Sequence, residues 1–136
     1  DLSDQKIPYE NKTLMKETEE ITKNNSNLNL VFAFNYGSHN EIHSAIMELH
    51  NNNLEKMLSL KEITDSFYSH FQYPDIPFPD VLLRTAGEER ISNFLLYQLA
   101  YTELIFIDTL WPDVNQDILD NVLLEFKSRN RTYGKN

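Results

Sequence analysis

Four arginines stand in the chain, all in its second half, as two pairs: Arg84 with Arg90, and Arg129 with Arg131. The first half carries only lysines. A guanidinium is a rigid fork of donors that matches phosphate oxygens two at a time, which a lysine ammonium does not. An acidic protein, net charge −9, that concentrates its arginines is consistent with a local anion site, although solvated surface ion pairs would give the same composition. The first pair lies in the stretch Asp80-Val-Leu-Leu-Arg84-Thr-Ala-Gly87-Glu-Glu-Arg90-Ile-Ser92-Asn93-Phe94. Its apolar start reads as a short buried strand, residues 85–90 as a loop, and Ser92 as the N-cap of a helix running to about Tyr101. Ligands of parallel α/β sheets bind beyond the carboxyl ends of strands, and a helix start adds unpaired N–H groups. Gly87 would let the loop turn between the arginines. Two guanidinium forks, a hydroxyl and helix-end amides converging on one point describe a diphosphate pocket. The competing reading is a capped helix whose Arg84 and Arg90 pair with Glu88 and Glu89.

The elements that must position these residues follow from hydrophobic spacing. A helix opened by Pro8 is expected over 8–25, with Leu14 and Ile21 among Lys and Glu. The run 28–34, Leu-Asn-Leu-Val-Phe-Ala-Phe, reads as a buried strand ending at the turn Asn35-Tyr36-Gly37. Helices are expected over 38–50, with Ile42, Ile46 and Leu49 on one face, and over 59–71, with Ile63, Phe67 and Phe71 spaced by four. Three prolines, Pro74, Pro77 and Pro79, make 72–79 an extended loop. A third strand is expected over 103–107, closed by Trp111-Pro112, and a last helix over 115–129. Strands alternating with helices predict an α/β fold with a partly parallel sheet flanked by helices, one domain over 1–136. Three strands are few for such a sheet, so further strands are expected from an N-terminal segment or a partner chain.

Composition narrows the function. The apolar share of 40% and aromatic share of 12% fit a globular protein. The acidic balance opposes binding to nucleic acid. Without cysteine there is no disulfide scaffold or thiolate zinc site, which suits a reducing, cytoplasmic setting. No run approaches the roughly 20 apolar residues of a membrane span, and the polar start is no signal peptide. Only three glycines occur, Gly37, Gly87 and Gly134, so each is expected to answer a backbone need, a positive φ or a close approach.

Weaker constellations carry less. His39-Asn-Glu-Ile-His43 lacks the zinc-protease pattern, because Glu41 stands two residues after the first histidine rather than one. Glu17-Thr-Glu-Glu20 reads as a solvated helix face. Asp108 and Asp113, flanking Trp111-Pro112, read as a capping and turn pair.

The stretch from Arg84 to Asp113, RTAGEERISNFLLYQLAYTELIFIDTLWPD, resembles the signature block of the cis-prenyltransferases, the undecaprenyl diphosphate synthase type. Asn35-Tyr36-Gly37 and the tail Arg129-Asn-Arg131-Thr132-Tyr133-Gly134 resemble two further blocks, and Asp1-Leu2-Ser3 resembles an interior segment. The resemblance implies the C-terminal half of that fold, with the family's glycine-rich N-terminal loop and its aspartate absent and this chain inactive alone. It assigns Arg84, Arg90, Ile91 and Ser92 to the diphosphate of isopentenyl diphosphate, and Glu103 to magnesium (Mg²⁺). It also implies an allylic diphosphate co-substrate of the farnesyl type, a homodimer, and peripheral membrane contact through a long lipid product. Leu28, Leu30, Phe32 and Phe34, on one face of their strand, would contribute to a hydrocarbon tunnel or simply pack a core. Two departures stand out: His39 replaces a usual arginine and Tyr97 a usual tryptophan.

Overall fold

The structure, a computed structural model, describes residues 7–53 and 56–129. The chain forms two compact units, Asp1–Tyr36 and Gly37–Asn136. In the first, helix α1 (Tyr9–Thr22) follows Pro8, whose fixed φ suits a helix start. Thr18 and Thr22 each donate a hydroxyl bond, 2.8 Å long, to the carbonyl four residues back. The expected strand at 28–34 does not form: the segment is irregular, and Leu28, Leu30, Phe32 and Phe34 are all exposed. A strand exists only through its ladder bonds to a neighbour, and alternating apolar residues cannot supply those by themselves.

The second unit holds helix α2 (Ser38–Asn51), helix α3 (Leu60–Phe67) with a 3₁₀ turn at Tyr68–His70, strand β1 (Val81–Arg84), strand β2 (Glu103–Phe106), a 3₁₀ turn at Trp111–Asp113, and helix α4 (Gln116–Ser128). Ser59 opens α3 with a capping box: its hydroxyl accepts the Glu62 N–H at 3.3 Å while the Glu62 carboxylate takes the Ser59 N–H at 2.9 Å. Asn115 caps α4 by accepting the Ile118 N–H at 3.1 Å. The core gathers Ala45 and Leu49 of α2, Phe71, Leu99, Ile105 of β2 and Val122 of α4. Beside it, rings of Phe67, Phe71 and Phe78 pack against Tyr97, with centroids 5.6, 5.2 and 5.9 Å away.

Strands β1 and β2 are parallel, Val81 opposite Glu103 and Arg84 opposite Phe106. The α/β class and the parallel pairing hold, although among the described residues the sheet has two strands rather than three. No described helix is long and apolar enough to cross a membrane. The expected helix from Ser92 to Tyr101 is replaced by successive turns. Ser92, Asn93 and Leu95 have φ of 48°, 62° and 47°, left-handed values that stop a right-handed helix. Tertiary bonds take the backbone groups a helix would have used: Asn93 O accepts from Ser38 N–H at 2.8 Å, and Leu96 N–H donates to Ser38 Oγ at 2.7 Å.

Candidate functional site

The loop that leaves β1 is tied to the segment that leaves β2. Ile107 N–H donates to Arg84 O at 2.9 Å, Gly87 N–H to Ile107 O at 3.0 Å and Ala86 N–H to Thr109 O at 2.9 Å. Ala86 and Gly87 both turn left-handed, at φ 67° and 65°. Gly87 meets its expectation twice, because a side chain there would also approach Asp108 Oδ1 to 3.2 Å. Residues 84–93 are thereby held at the carboxyl end of the parallel pair, where sheet topology places ligands.

Arg84 is the hub. Its Nη1 donates to Ser92 Oγ at 3.1 Å and to the Arg90 carbonyl. One guanidinium thus folds the loop back onto the Arg90 backbone and the Ser92 hydroxyl, whereas the sequence predicts that the two guanidinium forks themselves converge. The Arg90 guanidinium projects outward, its side chain 64% exposed, and forms an ion pair with Glu88. The carboxylate pairing weighed in the sequence therefore holds for Arg90, while Arg84 binds a carbonyl and a hydroxyl instead. Ile91 is half-buried and its carbonyl closes a turn with Phe94 N–H at 2.9 Å.

The helix-end amides expected at Ser92 are absent, since no helix starts there. The nearby start of α2 does not replace them. Its first two amides, Ser38 and His39, donate to Asn93 O at 2.8 Å and Asn93 Oδ1 at 2.9 Å. The next two, Asn40 and Glu41, donate to Gly37 O at 3.0 and 3.2 Å.

Glu103 sits at the other end of the strands, three register steps from the level of Arg84, or about 10 Å at the rise of a strand. Its carboxylate accepts from Arg129 Nη1 at 2.9 Å, and the same nitrogen donates to Leu104 O at 3.0 Å. Glu125 takes the other arm of the guanidinium. The hydrogen bond to Glu103, then that to Glu125, raises the Arg129 pKa above its ordinary value. A magnesium ion wants about six oxygens, usually one or two carboxylates with phosphate oxygens and waters. Among the described residues no group of three potential ligands forms, and the carboxylate of Glu103 is committed to a cation. These residues do not fit a magnesium site by themselves. Of the second arginine pair, Arg129 turns inward onto β2 and Arg131 lies outside the described residues, as do Thr132, Tyr133 and Gly134.

Asn93 is the residue that motif reasoning passed over. The signal was Gly37: its φ of −157° suits any residue, so its need is close approach, and a side chain there would come within 2.8 Å of Asn93 Nδ2.

Residues 3–134 match the prenyltransferase family model of undecaprenyl diphosphate synthases. The chain is 43% identical over 122 residues to isoprenyl transferase 2 of Bradyrhizobium diazoefficiens, covering 89% of this chain and 48% of the relative. It is 39% identical over 129 residues to the ditrans,polycis-undecaprenyl-diphosphate synthase ((2E,6E)-farnesyl-diphosphate specific) of Micrococcus luteus, covering 94% and 52%. The crystal structure of lavandulyl diphosphate synthase from Lavandula x intermedia, in complex with dimethylallyl diphosphate, superposes with a TM-score of 0.89 at 28% identity, over 98% of this chain and 58% of that one. The chain spans about half the length of the curated relatives it matches.

Proposed function

Because the chain belongs to the undecaprenyl diphosphate synthase family of cis-prenyltransferases, we propose that its β1 loop binds the diphosphate of isopentenyl diphosphate for condensation with an allylic diphosphate of the farnesyl type. The observation that carries this reading is Arg84 at the strand end, bonded to both Ser92 and the Arg90 carbonyl, with the Arg90 guanidinium of the same loop exposed and paired with Glu88. Arg84 sets the loop and adds positive charge, Ser92 offers a hydroxyl, and Arg90 is the outer fork. The Arg90–Glu88 pair must open for a ligand. An exposed pair of this kind contributes about 0–1 kcal/mol, whereas a charge-assisted bond to phosphate contributes about 1.5–3 kcal/mol. The exchange favours diphosphate. Holding the homoallylic substrate by this end fixes its double bond for attack on the allylic carbon as the other diphosphate leaves.

The reading extends to long cis-polyprenyl diphosphates for glycan carrier lipids, with magnesium, a homodimer, and a cytoplasmic site beside the membrane that receives the lipid; family kinship supports these features. A second reading is a non-catalytic chain that completes the sheet of an active partner. The two-stranded sheet of the described residues favours it, since parallel sheets in such folds are normally flanked on both edges.

Titration calorimetry tests the site. Isopentenyl diphosphate is expected to bind the chain, and Arg90→Ala to weaken binding by about tenfold or more through loss of a charge-assisted fork. Equal heats for wild type and variant would overturn the site. Incubation of the chain alone with farnesyl and isopentenyl diphosphates is expected to give no prenyl transfer. Turnover would remove the second reading.

A further inference from the structure

We propose that Asn93 is a positioning residue that locks the diphosphate loop onto the start of α2, and that Gly37 is retained to admit its side chain; the inference rests on the diphosphate reading above. Asn93 bridges two elements distant in sequence. Its carbonyl takes the Ser38 N–H at 2.8 Å and its Oδ1 takes the His39 N–H at 2.9 Å. Ser38, fully buried, returns the connection by accepting Leu96 N–H on its hydroxyl at 2.7 Å. The result is a closed clasp whose loop side lies next to Ser92, one of the two residues that Arg84 gathers.

The clasp matters because the loop would not hold its own shape. Ala86, Ser92, Asn93 and Leu95 are left-handed, a conformation that costs non-glycine residues about 1–3 kcal/mol each and persists only where surroundings over-determine it. Asparagine suits the position twice: it tolerates left-handed φ better than most residues, and its side-chain oxygen is among the best acceptors for a helix start. The amide is wedged against Gly37, where an added Cβ would lie 2.8 Å from Asn93 Nδ2. Gly37 therefore leaves the space that the Asn93 amide fills, although its extended φ of −157° would accept alanine freely.

Three variants separate side chain, backbone and fold. Asn93→Gly keeps the left-handed backbone but deletes the amide. Asn93→Asp keeps the acceptor. Gly37→Ala presses on the amide while leaving asparagine at residue 93. Calorimetry with isopentenyl diphosphate is expected to show about tenfold weaker binding for Asn93→Gly, from loss of a bond that fixes the site. Gly37→Ala is expected to behave like Asn93→Gly. Asn93→Asp should stay within about threefold of wild type, since Asp and Asn cap comparably. Amide hydrogen exchange at His39 should quicken in the first two variants and not in Asn93→Asp. Wild-type affinity in Asn93→Gly or in Gly37→Ala overturns the clasp. If Asn93→Gly does not fold, Gly37→Ala alone decides. A silent wild-type titration instead overturns the diphosphate reading and the positioning role with it, an outcome distinct from equal heats in wild type and variant.

Discussion

Arg129 shows how one side chain changes meaning between sequence and structure. In the sequence it stands beside Arg131 as a second candidate anion pair; in the structure it spans the Glu103 carboxylate, the Leu104 carbonyl and Glu125. Its planar fork spreads three bonds over two nitrogens in one fixed geometry, which a compact lysine ammonium does not reproduce, so lysine is a poor replacement. Arg129→Lys is therefore expected to lower the melting temperature by a few degrees and to free the end of α4, read as faster amide exchange at its last turn. An unchanged melting temperature would show the contact to be incidental. Composition flagged arginines as a class, but which carboxylates surround each depends on how α4 lies along β2, and no local pattern encodes that. Arg84 was legible as the end of β1 because a strand end is a local feature, whereas Ser92, read as a helix cap, sits in a left-handed turn instead.

Among the elements, those with their own caps and stripes were legible, and those that depend on neighbours were not. Helices α2 and α4 fall within a residue or two of their expected bounds, because Gly37 and Asn115 mark their starts and Leu49 and Val122 their buried faces. The apolar residues of 92–101 promised a buried helix, yet Asn93 O and Leu96 N–H bond Ser38 instead, an outcome set by a residue more than fifty positions away. Local capping also carries a pH signature. Lys56, then the Ser59 backbone and hydroxyl, hold the Glu62 carboxyl down from 4.5 to about 2. A depressed carboxyl contributes stability that is present above its ordinary value and fades as pH falls toward the folded value. Helical circular dichroism of α3 should therefore fray between about pH 4.5 and about 2. Glu62→Gln should lack that pH-dependent part while keeping most of the capping box. Ser59→Ala should cost about 1 kcal/mol at neutral pH, the usual loss of a cap. Identical acid profiles for wild type and Glu62→Gln would refute the assignment.

Across the whole molecule, the parallel pair was readable, while the third strand was not. The segment 28–34 has the composition of a strand, but Leu28, Leu30 and Phe32 remain 77%, 71% and 78% exposed. Exposed apolar side chains contribute almost nothing to folding, because the transfer that stabilises a core has not occurred. Substituting two of them should therefore be nearly neutral for the fold. Phe32→Ser combined with Phe34→Ser is expected to shift thermal stability by less than about 0.5 kcal/mol, the range of ordinary surface changes. The same pair should reduce binding of an apolar dye and self-association in light scattering, since contiguous exposed apolar groups drive both. A loss of stability of about 3 kcal/mol or more, typical of emptied aromatic core sites, would mean that Phe32 and Phe34 are buried in solution and that the strand read from the sequence forms there after all.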